Sequence, residues 1–296
     1  MRILLTGKNG QVGSELNKIF APFGEITATG KSDLDLSDSN QIRSVVNQIR
    51  PELIINAGAY TSVDKAESER ELAQAINGTA PKIFAEEAKK IGAVLIHYST
   101  DYTYSGKMKN NPYIETDLSD PINTYGKTKL EGDKAIEQAG LPFLIFRSSW
   151  VYGLDGKNFL RTILRLAKDN NELNIVNDQI GTPTWCRSIA NATFKIIKQL
   201  SKNTEIPFPE IVSSCSGVYH MTCEGETSWY GFAQSILKLT EPSCMSKLTA
   251  IPTKEYPTPA RRPAYTVLSN KKLYETFGIK LPHWEDALKH CLKVTS

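Results

Sequence analysis

The chain has 296 residues, of which 40% are hydrophobic and 23% charged, and its 35 basic and 32 acidic side chains leave a formal net charge of +3. These values are typical of a globular protein with about two domains, and interleaved charges of both signs predict no nucleic-acid partner. No apolar run is long enough to predict a membrane span. Five cysteines without a C-x-x-C pair argue against a zinc or disulfide framework and favour a reducing cytoplasm.

A glycine-rich turn follows the first predicted strand. Residues 2–6 have the pattern of a short buried strand, and Gly7, Gly10 and Gly13 then stand at G-x-x-G-x-x-G spacing. A helix is predicted next, from apolar residues at helical spacing: Val12, Leu16, Ile19 and Phe20. Small residues let the backbone approach a pyrophosphate, and a helix N-terminus offers it free N–H groups. Strand, turn and helix in this order favour a dinucleotide site over the ordinary turn that glycines also mark.

The second strand is predicted at residues 25–29. It ends at Gly30-Lys31, where the rim of an adenosine ribose lies in folds of this kind. The helix that follows ends before Pro51, and a third strand at residues 53–59 ends in small residues. Either a flat cofactor lies against the backbone there, or the chain simply turns.

Residues 66–91 are predicted to be helical, with a local irregularity at Asn77-Gly78, and a buried strand at 93–98 follows. This strand leads into residues 99–102. Ligands of open parallel sheets bind beyond the carboxyl ends of the strands, so the Thr100 hydroxyl can hydrogen-bond a substrate carbonyl. A cap or turn is the commoner role of threonine, and the residues alone leave both roles open.

Tyr125 is the only one of the 12 tyrosines with a lysine four residues later. In a helix over residues 123–139, Tyr125 and Lys129 lie on one face. A free tyrosine has a pKa of about 10. A fixed positive charge nearby lowers that pKa, so the hydroxyl can deliver or accept a proton. A solvated face shared by chance is the alternative, and the glycine loop and Thr100 upstream favour the catalytic role.

Beyond a strand at residues 141–147 the regular alternation loosens. Helices are predicted at residues 158–168, 185–200, 228–239, 270–277 and 283–293, and strands at 173–176, 217–223 and 248–251. Residues 202–216 are polar and predict a surface connection.

The alternation of strands and helices predicts an α/β fold, a Rossmann-type doubly wound parallel sheet with a smaller C-terminal α/β lobe that binds substrate. Residues 1–149, with about 184–216 returning to them, are assigned to the dinucleotide-binding domain. Residues from about 150 to 183 and from 217 to 296 are assigned to the substrate-binding lobe.

Several motifs carry a resemblance to a known family. They are Thr6-Gly7-x-x-Gly10-x-x-Gly13, Asn56-Ala57-Gly58, Ser99-Thr100-Asp101-Tyr102 and Tyr125-x-x-x-Lys129. Together they resemble the extended short-chain dehydrogenase/reductase superfamily. Further segments narrow the resemblance to the dTDP-4-dehydrorhamnose reductase family: Val63-Asp64-Lys65-Ala66-Glu67, Phe146-Arg147-Ser148-Ser149-Trp150-Val151-Tyr152, Asn177-Asp178-Gln179-x-Gly181-x-Pro183-Thr184 and Pro257-Thr258-Pro259-Ala260-x-Arg262-Pro263. These segments span almost the whole chain.

The resemblance implies NAD(P)H-dependent reduction of the C4 ketone of dTDP-4-dehydro-6-deoxy-L-mannose to dTDP-L-rhamnose. Tyr125 would protonate the new alkoxide, and Lys129 would hold the nicotinamide ribose and lower the Tyr125 pKa. Thr100 would hydrogen-bond the carbonyl. The residues implied to contact the substrate are Thr100, Asp101, Trp150 and Arg262.

The same resemblance, with the residue patterns above, assigns the cofactor positions. They are Gly7, Gly10, Gln11, Val12, Gly13, Lys31, Asp35, Leu36, Ala57, Ala59, Tyr60, Thr61, Tyr98, Tyr125 and Lys129. NAD-selective sites place an acid at the end of the second strand, and here that position is Gly30, followed by Lys31. NADPH is therefore the predicted preference, with NADH also used, although Lys31 is equally well explained as a solvated turn residue.

Some members of the family are dimers bridged by magnesium through a glutamate in the first helix and an acid after the Pro-Thr segment. Glu15 matches the first position, but residues 185–188 contain no acid. A monomer and a homodimer both stay open; the resemblance makes magnesium possible, but the missing acid argues against a metal-bridged dimer.

Two other readings stay open. The first is a nucleotide-sugar epimerase or dehydratase of the same superfamily. The absence of a glutamate after Asp101 weighs against dehydration. The second is a non-catalytic regulatory subunit similar to the beta subunit of methionine adenosyltransferase.

Overall fold

The structure, a computed structural model, describes residues 1–107, 111–240 and 247–293, so that Cys244 lies outside the described residues. Its strands are β1 (Arg2–Thr6), β2 (Glu25–Thr29), β3 (Leu53–Asn56), β4 (Val94–Thr100), β5 (Phe143–Ser148), β6 (Val151–Tyr152), β7 (Glu172–Val176), β8 (Ile180–Gly181), β9 (Thr184–Trp185), β10 (Gly217–His220), β11 (Thr227–Ser228) and β12 (Lys247–Ile251). Its helices are α1 (Gln11–Phe20), α2 (Ser39–Ile49), α3 (Arg70–Gln74), α4 (Ala80–Ile91), α5 (Thr124–Ala139), α6 (Phe159–Asp169), α7 (Cys186–Leu200), α8 (Phe208–Ser214), α9 (Trp229–Thr240), α10 (Lys271–Phe277) and α11 (Trp284–Lys293). A π-helical turn, Ala75–Thr79, joins α3 to α4.

Six strands form one sheet in the order β10-β5-β4-β3-β1-β2, and every neighbouring pair is parallel. The strands are continuous apolar runs because both faces of a parallel sheet are covered. Residues 3–5 and 53–55, for example, are 0% exposed. The chain reverses its direction of winding between β1 and β3, which is where ligands bind such sheets.

Helices cover both faces of this sheet. On one face α1 and α7 pack in an apolar cluster that includes Leu16 and Ile196. On the other face α2, α4 and α5 contribute Val46, Phe84 and Ile136 to a second cluster. The prediction of a doubly wound α/β fold is confirmed.

Helix α5, which carries Tyr125, is capped at its N-terminus by Asn123, whose side chain accepts a hydrogen bond from the Gly126 amide. It then passes very close to the π-helical turn. A Cβ on Gly132 would lie 2.2 Å from the carbonyl oxygen of Asn77. Both the predicted helix over residues 123–139 and the predicted irregularity at Asn77-Gly78 are confirmed.

A separate apolar core lies in the C-terminal part of the chain. Helices α6, α9 and α11 contribute Ile163, Phe232 and Leu288 to this core. Beside them, β7 pairs with β12 in a two-stranded parallel sheet. This part is α/β, as expected for the smaller lobe.

Three segments differ from their predictions. The supposed connection at 202–216 contains α8, which starts after Pro207 and buries Val212 against the main sheet. The strand β10, expected in the smaller lobe, is the edge strand of the main sheet because it pairs with β5. Helix α10 packs Leu273 and Phe277 into the same cluster as α1 and α7. The division of the rest of the chain into two lobes stays a prediction.

Candidate active site

The glycine loop between β1 and α1 lies where β1 and β3 diverge. Gly7 has φ +75°, and a Cβ on it would lie 2.7 Å from the carbonyl oxygen of Ala57. A Cβ on Gly13 would lie 2.0 Å from the carbonyl oxygen of Gly7. No side chain caps α1 at Gly10, so the N–H groups of its first turn are open to an anion. This cradle fits the pyrophosphate of a dinucleotide.

The next two predicted cofactor residues connect the loop with the segment that follows β5. The side chain of Gln11 donates a hydrogen bond to the Val151 carbonyl over 3.4 Å and accepts one from Asn158 over 2.9 Å. Val12 packs against the cores of both parts of the molecule. Their side chains therefore lie between the two cores, while their backbone faces the cradle.

The turn after β2 holds an ion pair that the sequence did not reveal. Lys8 Nζ lies 2.7 Å from the Asp33 carboxylate, which also accepts a hydrogen bond from the Gly30 amide. Hydrogen bonds from Lys8 and Gly30 lower the pKa of Asp33 below its ordinary value. Lys31 is exposed, and Asp35 bonds the amide and hydroxyl of Ser37. Two cations thus stand at the rim where the adenosine ribose would lie.

The end of β3 is shaped by close backbone approach. A Cβ on Gly58 would lie 2.5 Å from Cδ1 of Leu36, so Leu36 covers this turn. The backbone N–H and C=O of Tyr60 are both hydrogen-bonded to the side chain of Asn77, at 2.9 and 3.0 Å. The remaining predicted cofactor residues of this segment are at least partly exposed: Ala57, Ala59 and Thr61.

Thr100 ends β4 beside a buried acid. Its hydroxyl donates to Asp101 over 3.0 Å, and Ser149 donates to the other carboxylate oxygen over 2.9 Å. Asp101 is 2% exposed. Burial raises the pKa of Asp101 to about 6, against hydrogen bonds from Thr266, Ser149 and Thr100 that lower it. Thr100 also accepts from the Tyr102 amide, so its hydroxyl is held in place.

Tyr125 projects from the first turn of α5 towards Thr100. Its ring meets Tyr102 edge-on, with centroids 5.9 Å apart, and the Thr100 side chain is one of the groups that act on the pKa of its hydroxyl. Burial raises the pKa of Tyr125 above its ordinary value, and the charge of Asp101 adds to the effect. The expected fall in this pKa is wrong: burial is the largest cause, and Lys129 is not among the groups that shift it. The raised pKa keeps the phenol protonated at neutral pH, and it also makes the phenol a weaker proton donor than a group whose pKa lies near the operating pH.

Lys129 lies one turn further along α5 and is 1% exposed. Its Nζ donates to the Tyr98 carbonyl over 2.6 Å and lies 3.1 Å from Nε2 of His97. Burial lowers the pKa of Lys129 to about 8, and the nearby Asp133 carboxylate counteracts part of that shift. The phenol of Tyr98, another predicted cofactor residue, bonds Thr193 of α7 instead of facing the lysine.

Trp150 follows β5 in a strained conformation. Its φ is +44°, which a bulky residue rarely adopts. Its ring stacks on Trp229, with centroids 3.5 Å and planes 7° apart. A Cβ on Gly181 would lie 2.5 Å from Cε2 of Trp150, so only glycine fits beside the ring. Segments far apart in sequence therefore hold this indole in one orientation.

Arg262 reaches the same site from the C-terminal segment. Its guanidinium pairs with Asp64 over 2.8 Å, and Asp64 also accepts from the Ala260 amide. Burial raises the pKa of Tyr102 to about 12, while the Arg262 charge lowers it. Arg262 thus acts on Tyr102, the residue whose ring contacts Tyr125.

Glu15, the residue that matched a magnesium ligand, is engaged by cations. Its two oxygens accept from Arg187 over 2.7 Å and from Lys18 over 2.9 Å. Burial alone would raise the Glu15 pKa, but these hydrogen bonds lower it below its ordinary value. Within the described ranges, no group of three or more His, Cys, Asp or Glu residues is placed to hold a metal. The residues present do not fit the magnesium ion that the resemblance implies.

Sequence reasoning missed most partners of the predicted residues. These contacts join segments far apart in the chain, and no local signal in the sequence points to them. They are the contacts of Asp101 with Ser149 and Thr266, of Trp150 with Trp229, and of Arg262 with Asp64. Asp133 is different, because it repeats the four-residue spacing of Tyr125 and Lys129 and was visible in the sequence.

Comparisons with known proteins agree over the full length of the chain. The RmlD substrate binding domain family matches residues 1–296. The dTDP-4-dehydrorhamnose reductase of Burkholderia thailandensis is 44% identical over 299 residues, covering 99% of this chain and 98% of that protein. A dTDP-4-dehydrorhamnose reductase structure from Clostridium acetobutylicum has a TM-score of 0.91 at 37% identity, covering 100% of this chain and 99% of that one. The Bacillus anthracis enzyme, in complex with NADP, has a TM-score of 0.89 at 33% identity, covering 99% of each chain.

Proposed function

We propose that this chain, which belongs to the RmlD substrate-binding domain family of dTDP-4-dehydrorhamnose reductases, reduces the C4 ketone of dTDP-4-dehydro-6-deoxy-L-mannose to dTDP-L-rhamnose with a nicotinamide cofactor. One observation carries the proposal. The glycine cradle after β1 and the Thr100, Tyr125 and Lys129 side chains lie at the carboxyl edge of one parallel sheet. That edge is where such folds bring a dinucleotide and its substrate together.

The residues of the cradle would hold the pyrophosphate through the open N–H groups of α1. Lys129 has three donors; the Tyr98 carbonyl accepts from one, and Nε2 of His97 lies 3.1 Å from the same nitrogen. The third is available for a hydroxyl of the nicotinamide ribose. When bound, the reduced cofactor supplies the hydride for the ketone carbon.

Tyr125 then supplies the proton. Because its pKa is raised, the phenol is neutral at physiological pH and gives up its proton only to a strong base such as the alkoxide at O4. Thr100, held by Asp101 and the Tyr102 amide, fixes the position of the Tyr125 hydroxyl beside the carbonyl. The single proton of the Thr100 hydroxyl, which Asp101 accepts in this structure, would turn to the carbonyl oxygen when the ketone binds, so that Thr100 and Tyr125 meet the same oxygen.

We also assign three further residues to the substrate: Asp101, which lies beside Thr100, and Trp150 and Arg262. The flat Trp150 ring suits the apolar face of a deoxyhexose. The Arg262 guanidinium, which is 19% exposed and paired on one side with Asp64, can reach an acceptor of the nucleotide sugar.

The cofactor preference follows from the rim after β2. Glycine stands at the position where NAD-selective sites carry an acid, and Asp33 is neutralised by Lys8. Lys31 is exposed there and can pair with a 2′-phosphate as a point charge. We therefore assign NADPH as the preferred cofactor and NADH as a weaker one.

The assignment is tested by following NADPH absorbance with and without the ketosugar. Stoichiometric oxidation of NADPH that depends on the sugar, with a product that carries a hydroxyl group in place of the C4 ketone, supports the reductase. Cofactor that co-purifies and is not consumed would favour a nucleotide-sugar epimerase. Cofactor binding without turnover would favour a regulatory subunit.

We also propose that the protein acts in the cytoplasm, as a monomer or a homodimer. Within the described residues, no helix is long and apolar enough to cross a membrane. The pairing of Glu15 with Arg187 and Lys18 supports an assembly that needs no bridging metal.

A further inference from the structure

A buried carboxylate lies one helical turn beyond Lys129, and the proposed reaction does not use it. Asp133 follows Tyr125 and Lys129 along α5 at four-residue intervals, so the three side chains form one row. Asp133 is 0% exposed. One of its oxygens, Oδ2, accepts from Ser99 over 2.8 Å and from Arg147 over 3.1 Å.

The other oxygen of Asp133 is unusual. Oδ1 is buried and accepts no hydrogen bond from any residue in the described part of the chain. It lies 3.9 Å from Nε2 of His97, the same nitrogen that is 3.1 Å from Nζ of Lys129. An unbonded carboxylate oxygen in a protein interior costs free energy. Its position on the lysine side of the pair with Arg147 points to an electrostatic role.

Asp133 is a buried anion that pairs with Arg147 and whose charge also acts on Lys129. The charged or titratable groups packed near it are His97 of β4, Arg147 of β5, Asp101 after β4, and Tyr125, Lys129 and Glu137 of α5. Burial and the Lys129 charge lower the pKa of His97 well below its ordinary value, so the imidazole is neutral. Arg147, which is 3% exposed, and Lys129 are the two cations.

We propose that Asp133 is a positioning residue whose carboxylate holds Lys129 as an ammonium ion at the nicotinamide ribose. The proposal rests on the assignment of Lys129 to the cofactor site. Without this charge, Arg147 would lose its paired anion and Lys129 would lose the carboxylate that favours its charged form; of these two cations the lysine is the one that can lose its proton. The lowered pKa of Lys129 agrees with a group that needs such support.

The variant Asp133→Asn keeps the shape and removes the charge. We expect the pH at which Lys129 loses its proton to fall by about one unit or more. Activity and NADPH affinity should then approach the wild-type values at acidic pH and decline at lower pH than in the wild type. Tyr125 does not produce this decline, because its pKa is raised.

The experiment measures NADPH binding by cofactor fluorescence, and turnover of the ketosugar, across a pH series. Asp133→Glu restores the carboxylate and should return the alkaline decline towards its wild-type position. Ser99→Ala removes a hydrogen bond to the same carboxylate but keeps the charge, so it should leave that position unchanged. The binding measurement still tests Asp133 if the chain proves not to reduce the ketosugar.

Two results would overturn the proposal. One is an alkaline decline at the same pH in the wild type and in Asp133→Asn. The other is a loss of the same factor at every pH, which is what damage to packing alone would produce. If Asp133→Asn does not fold, Arg147→Met is the second variant: it removes the cation that shares the Asp133 carboxylate and keeps the carboxylate, so the decline must move to higher pH, and an unchanged position would overturn the proposal.

Discussion

The cofactor cradle and the sugar-facing side of the site are built in opposite ways. In the cradle, the chain contributes space: Gly7 and Gly13 are required because a Cβ on either would meet backbone atoms at 2.7 Å or less. On the sugar side, the chain contributes large side chains that hold one another, such as Trp150 on Trp229 and Arg262 on Asp64.

This contrast indicates how each side should respond to mutation. The cradle is compact, because residues 7–13 and the backbone of Ala57 enclose it, so an added methyl group has nowhere to go. The sugar side is assembled from segments up to 198 residues apart, and its parts can be removed one at a time. Tyr125 belongs to neither side, because its proposed role is to donate a proton in the reaction.

The largest effect is expected at Tyr125. Tyr125→Phe keeps the ring against Tyr102 and removes the proton donor, and general acid catalysis is worth about 10²–10⁴-fold in rate. Turnover should fall by that order while NADPH affinity changes little. Lys129→Met is the companion variant, and it should impair both turnover and cofactor binding. Near-wild-type turnover in Tyr125→Phe would remove the tyrosine from the mechanism.

Gly13→Ala tests the cradle. A Cβ would lie 2.0 Å from the Gly7 carbonyl oxygen, so the loop must move, and a misplacement of about 1 Å costs about 10²-fold. We expect a loss of that order in cofactor affinity, measured by NADPH fluorescence. Gly217→Ala is the matched control, because its φ is not positive and a Cβ there would meet only the flexible end of Lys272 at 3.3 Å and the Tyr219 ring at 3.9 Å, at the start of β10. Equal affinity in both variants would show that the cradle tolerates a side chain.

Trp150→Ala tests the sugar side. An aromatic contact is worth about 0.5–1.5 kcal/mol beyond its area, or up to roughly tenfold in affinity. We expect a higher KM for the ketosugar with an unchanged NADPH affinity. Trp229→Ala should raise the same KM by less, and Trp229→Phe should restore part of it. A collapse of Tm in Trp150→Ala, with an unchanged KM for the residual enzyme, would make Trp150 a purely structural residue.

The smallest effect is expected at Lys31. An exposed ion pair contributes about 0.2–1 kcal/mol, or a few-fold in affinity. Lys31→Ala should weaken NADPH binding by that amount and leave NADH binding nearly unchanged. Lys8→Ala is the comparison at the same rim, where the partner Asp33 is left unpaired. Equal losses for the two cofactors, or a wild-type preference for NADH, would show that Lys31 faces only solvent.

Much of the cofactor half was predictable from the sequence. Its strands are continuous apolar runs and its helices have clear apolar spacing. The glycines and the Tyr125–Lys129 interval are contiguous patterns whose geometry follows from helix and strand periodicity. For the same reason Asp133 could have been noticed, since it extends the interval by one more turn. Local patterns determine local geometry.

Tertiary structure alone decided the rest. Burial turned the expected fall in the Tyr125 pKa into a rise, because desolvation depends on everything packed around the phenol. Strand β10 belongs to the main sheet because it pairs with β5, and no feature of residues 217–220 indicates that β5 is its partner. Thr266 reached Asp101, and Trp229 reached Trp150, only after the chain had folded back on itself. Contacts between residues far apart in sequence depend on packing, and packing has no period that a single sequence displays.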